Sequence, residues 1–175
     1  MCKEIYRKHK DAIDLIVEWG ATSEFEAIAE NFMSEHKNLT RLCLTPRALW
    51  FIPKVWEKKM PPCSNRWTFL LEPYPVACWF AFRSKRSSIG FVIEVGSMEN
   101  SAKRLQLIKA FQGEGFKIGK KAFRSESKYT RVYSSYRRIP DIDDQDEIRK
   151  HIDELWKKSE KSIDVTTKII ESFKW

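Results

Sequence analysis

The chain has 175 residues and a net charge of +8, and 42% of its residues are hydrophobic. This length is sufficient for one domain with a substantial core, and the composition excludes collagen-like, low-complexity and largely disordered chains. No apolar run is long enough to span a membrane, and the charged N-terminus differs from a signal peptide. We therefore expect a cytoplasmic protein without membrane contact, whose four scattered cysteines are reduced.

Positive charge is concentrated in the middle of the sequence. Residues 1–36 have a net charge of −4, residues 37–138 have +15, and residues 139–175 have −3. A basic region of this size favours polyanions, of which nucleic acid is the first to consider. The alternative is a solvated face that only keeps the protein in solution. The predicted nucleic-acid-binding residues are Arg83, Lys85, Arg86, Lys117, Lys120, Lys121, Arg124, Lys128, Arg131, Arg137 and Arg138.

Both acidic ends of the sequence have helical periodicity. Apolar residues recur at helical spacing over residues 3–19, and Gly20 is a typical residue to end a helix. Ser23 and Glu26 then form a capping-box pattern at the start of a second helix, so the sequence predicts a helical hairpin in residues 1–36. At the other end it predicts two helices, at about 144–158 and 160–174.

The basic middle is rich in aromatic and β-branched residues and contains one helix. It predicts strands near 47–52, 66–71, 76–82 and 89–95, the last two forming an antiparallel hairpin with a basic tip. After these come a helix at about 99–113, a short strand at 116–119 and a longer strand near 128–136. The prediction is one α+β domain over residues 1–175: an N-terminal helical hairpin, a mostly antiparallel sheet of about five to six strands, one inserted helix and two C-terminal helices.

No pattern of catalytic, metal-binding or cofactor-binding residues stands out in the sequence. Cysteine and histidine residues are too far apart for a typical zinc site. One enzyme hypothesis remains, a degenerate metal nuclease that uses Glu94, Glu126 and Lys128, because metal nucleases pair carboxylates with a lysine. The sequence predicts no catalytic residue, no metal and no cofactor.

Four aromatic residues near the basic middle have two possible roles. Aromatic rings stack on exposed bases in many proteins that bind nucleic acids, and they also fill the space between a sheet and its helices. The core role is the more common one, and we favour it here. The residues concerned are Trp50, Trp67, Trp79 and Tyr133.

The order of these segments resembles part of the PD-(D/E)XK nuclease superfamily. The segment Ile5–Ile16 is similar to a helix that follows the catalytic domain in one branch of that superfamily. The remainder of those proteins is similar to four later parts of this chain: the segment Ser88–Gly96, the helix with Arg104 and Leu105, the basic strands and the closing helices. The resemblance spans nearly the whole chain and includes no catalytic motif.

This resemblance implies an accessory role. The catalytic domain of such a nuclease would precede the region that this chain matches, so no catalytic residue is transferred. It implies DNA as the partner, with restriction or phage defence as the context. We expect a non-catalytic domain that binds nucleic acid; the alternative is a module that docks on a nuclease subunit or associates with itself.

Overall fold

The computed structural model describes residues 2–62, 74–83, 86–124 and 126–175, apart from the side chains of residues 2–7 and 14–23. The elements in chain order are α1 (Cys2–Glu35), β1 (Leu39–Thr45), β2 (Ala48–Pro53), α2 (Lys54–Glu57), β3 (Val76–Arg83), β4 (Ser88–Val95), α3 (Ser101–Gly113), a 3₁₀ helix (Lys120–Phe123), β5 (Thr130–Arg138) and α4 (Gln145–Ser172). Three predictions concern residues outside this description: the strand at 66–71, and the roles of Trp67 and Lys85.

The five strands form one antiparallel sheet in the order β1-β2-β3-β4-β5. Each strand pairs with the next one along the chain, so β1 and β5 are the two edges among the described strands. The predicted α+β class and antiparallel sheet are confirmed. The hairpin of β3 and β4 is also confirmed, with Arg83 opposite Ser88 at its tip.

One face of the sheet packs against α1 and α4 through aromatic side chains. Phe25 of α1 stacks on Phe82 of β3, with ring centroids 5.2 Å apart. Trp156 of α4 contacts Phe51 of β2 and Phe91 of β4, on either side of β3. These rings are large apolar groups, and their removal from water is the main stabilisation of this layer.

The N-terminal region is helical as predicted, but the turn predicted at Gly20 is wrong. Helix α1 continues through this residue to Glu35, and its only described non-helical residue is His9, where the helix kinks. A glycine inside a helix costs about 1 kcal/mol relative to alanine. Burial of Phe25 and Phe32 after this point favours continued helix by a larger amount.

The two predicted C-terminal helices are one helix, α4. The predicted break near residue 159 is wrong because no glycine or proline interrupts the segment, and its buried side chains keep helical spacing throughout. Ser159 and Thr166 are both fully buried, so small polar residues interrupt the apolar face while the helix continues. Asp144 caps the helix by accepting hydrogen bonds from the backbone N–H groups of Asp146 and Glu147.

Two further differences occur in the middle of the chain. Residues 116–119 form an irregular segment that leads into the 3₁₀ helix, so the short strand predicted there is wrong. Strand β1 was not predicted, because its sequence does not alternate cleanly and a bulge lies between Arg41 and Cys43. The strands near 47–52 and 128–136 and the helix near 99–113 are present, and the side chain of Asn100 caps that helix by accepting from the N–H of Lys103.

Candidate nucleic-acid interface

A bulge in the edge strand β5 determines which of its side chains share a face. Ile93 pairs with Tyr133, whereas Glu94 pairs with Arg131, so Val132 is the extra residue. Tyr133 faces α4, where its hydroxyl lies 3.4 Å from the hydroxyl of Ser159. The bulge turns Arg131 to the opposite face of the sheet, beside Glu94.

An open cleft of about 440 Å³ lies along this edge. Three cationic side chains from three separate elements line it: Lys117 from the segment after α3, Arg131 from β5 and Lys161 from α4. Glu114 is the one carboxylate among the lining residues, and Tyr133, Ser134 and Ser162 supply hydroxyl groups. A site with this charge and these donors is suited to phosphate oxygens.

Arg131 is held in place by two neighbours. Its Nε lies 3.3 Å from Oε2 of Glu94, and its guanidinium carbon lies 5.4 Å from the ring centroid of Trp79. Burial raises the pKa of Glu94, while the charge of Arg131 and its hydrogen bond lower it. Arg131 is half-exposed, so its remaining N–H groups face the solvent side of the site.

A buried arginine positions the basic segment before β5. Arg104 of α3 donates to the backbone carbonyls of Gly96, at 3.0 Å, and Ala122, at 3.4 Å, and to the hydroxyl of Thr130, at 2.6 Å. Its side chain is 4% exposed, and burial lowers its pKa. Arg104 therefore connects the end of β4, the 3₁₀ helix and the start of β5.

Four of the predicted binding residues lie on this anchored segment. The 3₁₀ helix is closed by a bond from the N–H of Ala122 to the carbonyl of Gly119, and the Ser127 hydroxyl donates to the carbonyl of Lys121. These bonds keep the segment compact while its cationic side chains are exposed. The four residues are Lys120, Lys121, Arg124 and Lys128.

A second group of cations lies at the tip of the β3–β4 hairpin and the end of β5. Arg83 lies over the ring of Tyr136, 4.3 Å from its centroid, and donates to its hydroxyl at 2.9 Å. The ring lies against Gly90, where an added methyl group would be 2.2 Å from ring carbons. Arg86 and Arg138 are exposed nearby, and Arg138 pairs with Ser88 in the sheet.

The predicted binding residues thus form two groups at opposite ends of β5. Arg137 belongs to neither, because it faces α4 and pairs with Glu154 at 3.1 Å. Sequence reasoning missed Lys161, which lies in the acidic C-terminal region and reaches the cleft only through the fold. Tyr136 was also missed, although a glycine inside a strand, such as Gly90, is a known signal of close approach by another group.

Among the aromatic residues considered for base stacking, Trp50 is buried, and Trp79 and Tyr133 are partly buried. Trp50 is 7% exposed and stacks on Trp79, with centroids 4.6 Å apart. Strands β2 and β5 lie on opposite sides of β3, so Trp50 and Arg131 contact Trp79 from opposite sides. Neither ring is available as a platform for a base, which favours the core role that we expected.

The metal-nuclease hypothesis gains no support from the geometry. The carboxylate of Glu94 is engaged by Arg131. Within the part of the chain that the structure describes, no three His, Cys, Asp or Glu side chains are grouped as metal ligands.

Comparisons with protein-family models, with curated proteins and with solved structures found no match for this chain. The resemblance to the PD-(D/E)XK superfamily therefore stays a prediction from sequence. Among the described helices, none has the length and apolar character needed to cross a bilayer.

Proposed function

We propose that this chain is a non-catalytic module that binds nucleic acid through the cleft beside β5. The observation that supports this proposal most directly is the convergence of Lys117, Arg131 and Lys161 on that cleft. Three cations from separate elements, with hydroxyl groups between them, form a surface that suits the phosphates of a polynucleotide. Lys120 and Lys121 extend the positive charge beyond the cleft.

The wider biological role is a further part of this proposal and is supported by the sequence resemblance alone. In this view the partner is DNA, the module acts as an accessory to a nuclease in restriction or phage defence, and it works in the cytoplasm. Docking on a nuclease subunit or self-association is the alternative function. A complex detected by light scattering, together with no binding to DNA, would favour that alternative.

The test is fluorescence anisotropy with a labelled duplex at salt concentrations from about 50 to 300 mM. Each phosphate contact contributes roughly −0.9 to the slope of log K against log salt on duplex DNA. We expect the double variant Lys117→Gln/Lys161→Gln to bind all duplexes more weakly, with a slope about 2 units shallower. Lys37→Gln, which removes an exposed lysine next to the opposite edge of the sheet, is the matched control and should bind like the wild type.

Two outcomes would overturn the proposal. One is no binding of the wild-type protein at about 50 mM salt, where phosphate contacts are strongest. The other is an unchanged affinity and slope in the double variant, which would show that the cleft is not the site.

A further inference from the structure

Four exposed side chains form a strip along β5, on the face of the sheet opposite α1 and α4. Arg131, Ser134, Tyr136 and Arg138 pair with Glu94, Val92, Gly90 and Ser88, respectively, so they share one face. We call these four residues the β5 strip. One end of the strip lies at the cleft, since Arg131 lines it, and the other end lies at the tip of the β3–β4 hairpin.

The arginines at both ends of this surface are supported by aromatic rings. Arg131 lies over Trp79, whose other neighbour is Trp50, and Arg83 lies over Tyr136, whose ring rests on Gly90. A guanidinium held in this way loses less conformational freedom when it binds a phosphate. The same contacts occupy the rings, which leaves little aromatic surface here for stacking on unpaired bases.

The spacing of the two ends matches a definite length of nucleic acid. Arg131 and Arg138 pair with Glu94 and Ser88, which are six residues apart on β4, and this corresponds to roughly 20 Å at about 3.3 Å per residue. Phosphates along one strand of a B-form duplex are about 3.4 Å apart along the helix axis. The two ends of the strip are therefore about six base-pair steps apart along that axis.

We infer that the β5 strip and Arg83 bind the phosphate backbone of a duplex, and that full binding requires about seven base pairs or more. This inference depends on the proposed function, because it assumes that the cleft binds phosphates at one end. A duplex is stiff over about 150 base pairs, so contact at the cleft restricts where its other phosphates lie relative to Arg138 and Arg83. A flexible single strand gains less from the second contact, since it must also be ordered.

The experiment compares two DNA hairpins with the same loop, one with a 6-base-pair stem and one with a 12-base-pair stem. Closed hairpins keep the short stem from melting. We expect the longer stem to bind at least about tenfold more tightly, beyond the few-fold gain from its larger number of binding registers. Because Arg83 and Arg138 add two contacts, its salt slope should be steeper by about 1.8.

A pair of variants separates the two ends. Arg83→Gln/Arg138→Gln should weaken binding of the 12-base-pair stem to within a few-fold of the short stem, the gain that its extra registers provide, and leave the short stem unaffected. The control variant Lys37→Gln should leave the binding of both stems unchanged. The variant replaces two exposed or half-exposed side chains, so its folding can be checked by circular dichroism before binding is measured.

The outcomes distinguish this inference from the proposed function. Failure of the wild type to bind either stem would overturn both. Binding of both stems with the same affinity and slope would overturn the strip and leave the cleft in place. Equal or tighter binding of an unstructured 12-nucleotide single strand would overturn the assignment of duplex as the ligand.

Discussion

The two edges of the sheet have a similar architecture and opposite charge. At each edge a strand borders an open groove, and the groove at β1 is the larger, at about 690 Å³ against about 440 Å³ at β5. The β1 groove has a net charge of −1 and the β5 cleft has +2. The charged lining residues are Glu26, Glu30 and Arg41 at β1, and Glu114, Lys117, Arg131 and Lys161 at β5.

The fold thus places a groove at each of these two edges, and the side chains that line a groove determine whether it attracts polyanions or polycations. The edges also differ in how firmly their charges are held. At β1, Arg41 and Glu30 form an exposed pair at 3.6 Å, whereas at β5 Arg131 pairs with the buried Glu94. Fixed charges favour binding, and four predictions follow from this contrast.

The largest effect is expected from Arg104→Met. This change leaves the carbonyls of Gly96 and Ala122 without their buried donor, and it detaches the basic segment from α3. We expect the free energy of unfolding to fall by about 2–4 kcal/mol, as measured by urea denaturation. Lys109→Met, at an exposed position of the same helix, should change it by less than about 0.5 kcal/mol. Equal stability of the two variants would contradict the role of Arg104.

A smaller effect is expected from Gly90→Ala. The new methyl group would displace the ring of Tyr136 and with it the support of Arg83. We expect a loss of about 1–3 kcal/mol in the free energy of unfolding, and a shallower salt slope on the 12-base-pair stem. Gly119→Ala is the control, because an added methyl group there meets nothing within 4 Å. A Gly90→Ala protein that binds and unfolds like the wild type would refute this packing.

Glu94→Gln tests the Glu94–Arg131 pair through the pH dependence of the free energy of unfolding. Because burial raises the pKa of Glu94, the folded state binds more protons than the unfolded state above the ordinary carboxyl pKa of about 4.3. The free energy of unfolding of the wild type, relative to Glu94→Gln, should therefore fall as pH rises from about 4 towards 7. Urea denaturation of both proteins across this range measures the difference. A difference that stays constant or rises with pH would contradict the raised pKa.

The smallest effect is expected from Arg41→Ala at the other edge. Both members of the Arg41–Glu30 pair are more than half exposed, and such pairs contribute about 0–1 kcal/mol to stability. We expect little change in urea denaturation and none in DNA binding. A loss of affinity comparable to that of Lys117→Gln/Lys161→Gln would remove the distinction between the two edges.

Much of the fold could be predicted because local patterns and tertiary packing agree. The predicted hairpin of β3 and β4 and the predicted helix at about 99–113 match the structure. The predicted end at Gly20 is wrong because packing against the sheet outweighs a local helix-ending signal, and the predicted break near residue 159 is wrong because the segment has no such signal. A helix boundary depends on contacts that are distant in sequence.

The candidate site could be predicted only as a set of cations. Sequence reasoning included Arg131 and Lys117, but it could not place them in one cleft, because the bulge at Val132 determines where Arg131 points. It included Arg137, which the fold turns towards Glu154. Lys161 has no sequence signal at all, since a lysine on a long helix usually faces solvent.

The most direct test of the difference between the edges is hydrogen–deuterium exchange at short labelling times, with and without a 12-base-pair DNA stem. We expect slower exchange in peptides that cover residues 114–124 and 130–138, and no change in peptides that cover residues 39–45. Slower exchange at residues 39–45, or no change at residues 130–138 under saturating DNA, would contradict the assignment of the β5 edge as the nucleic-acid surface.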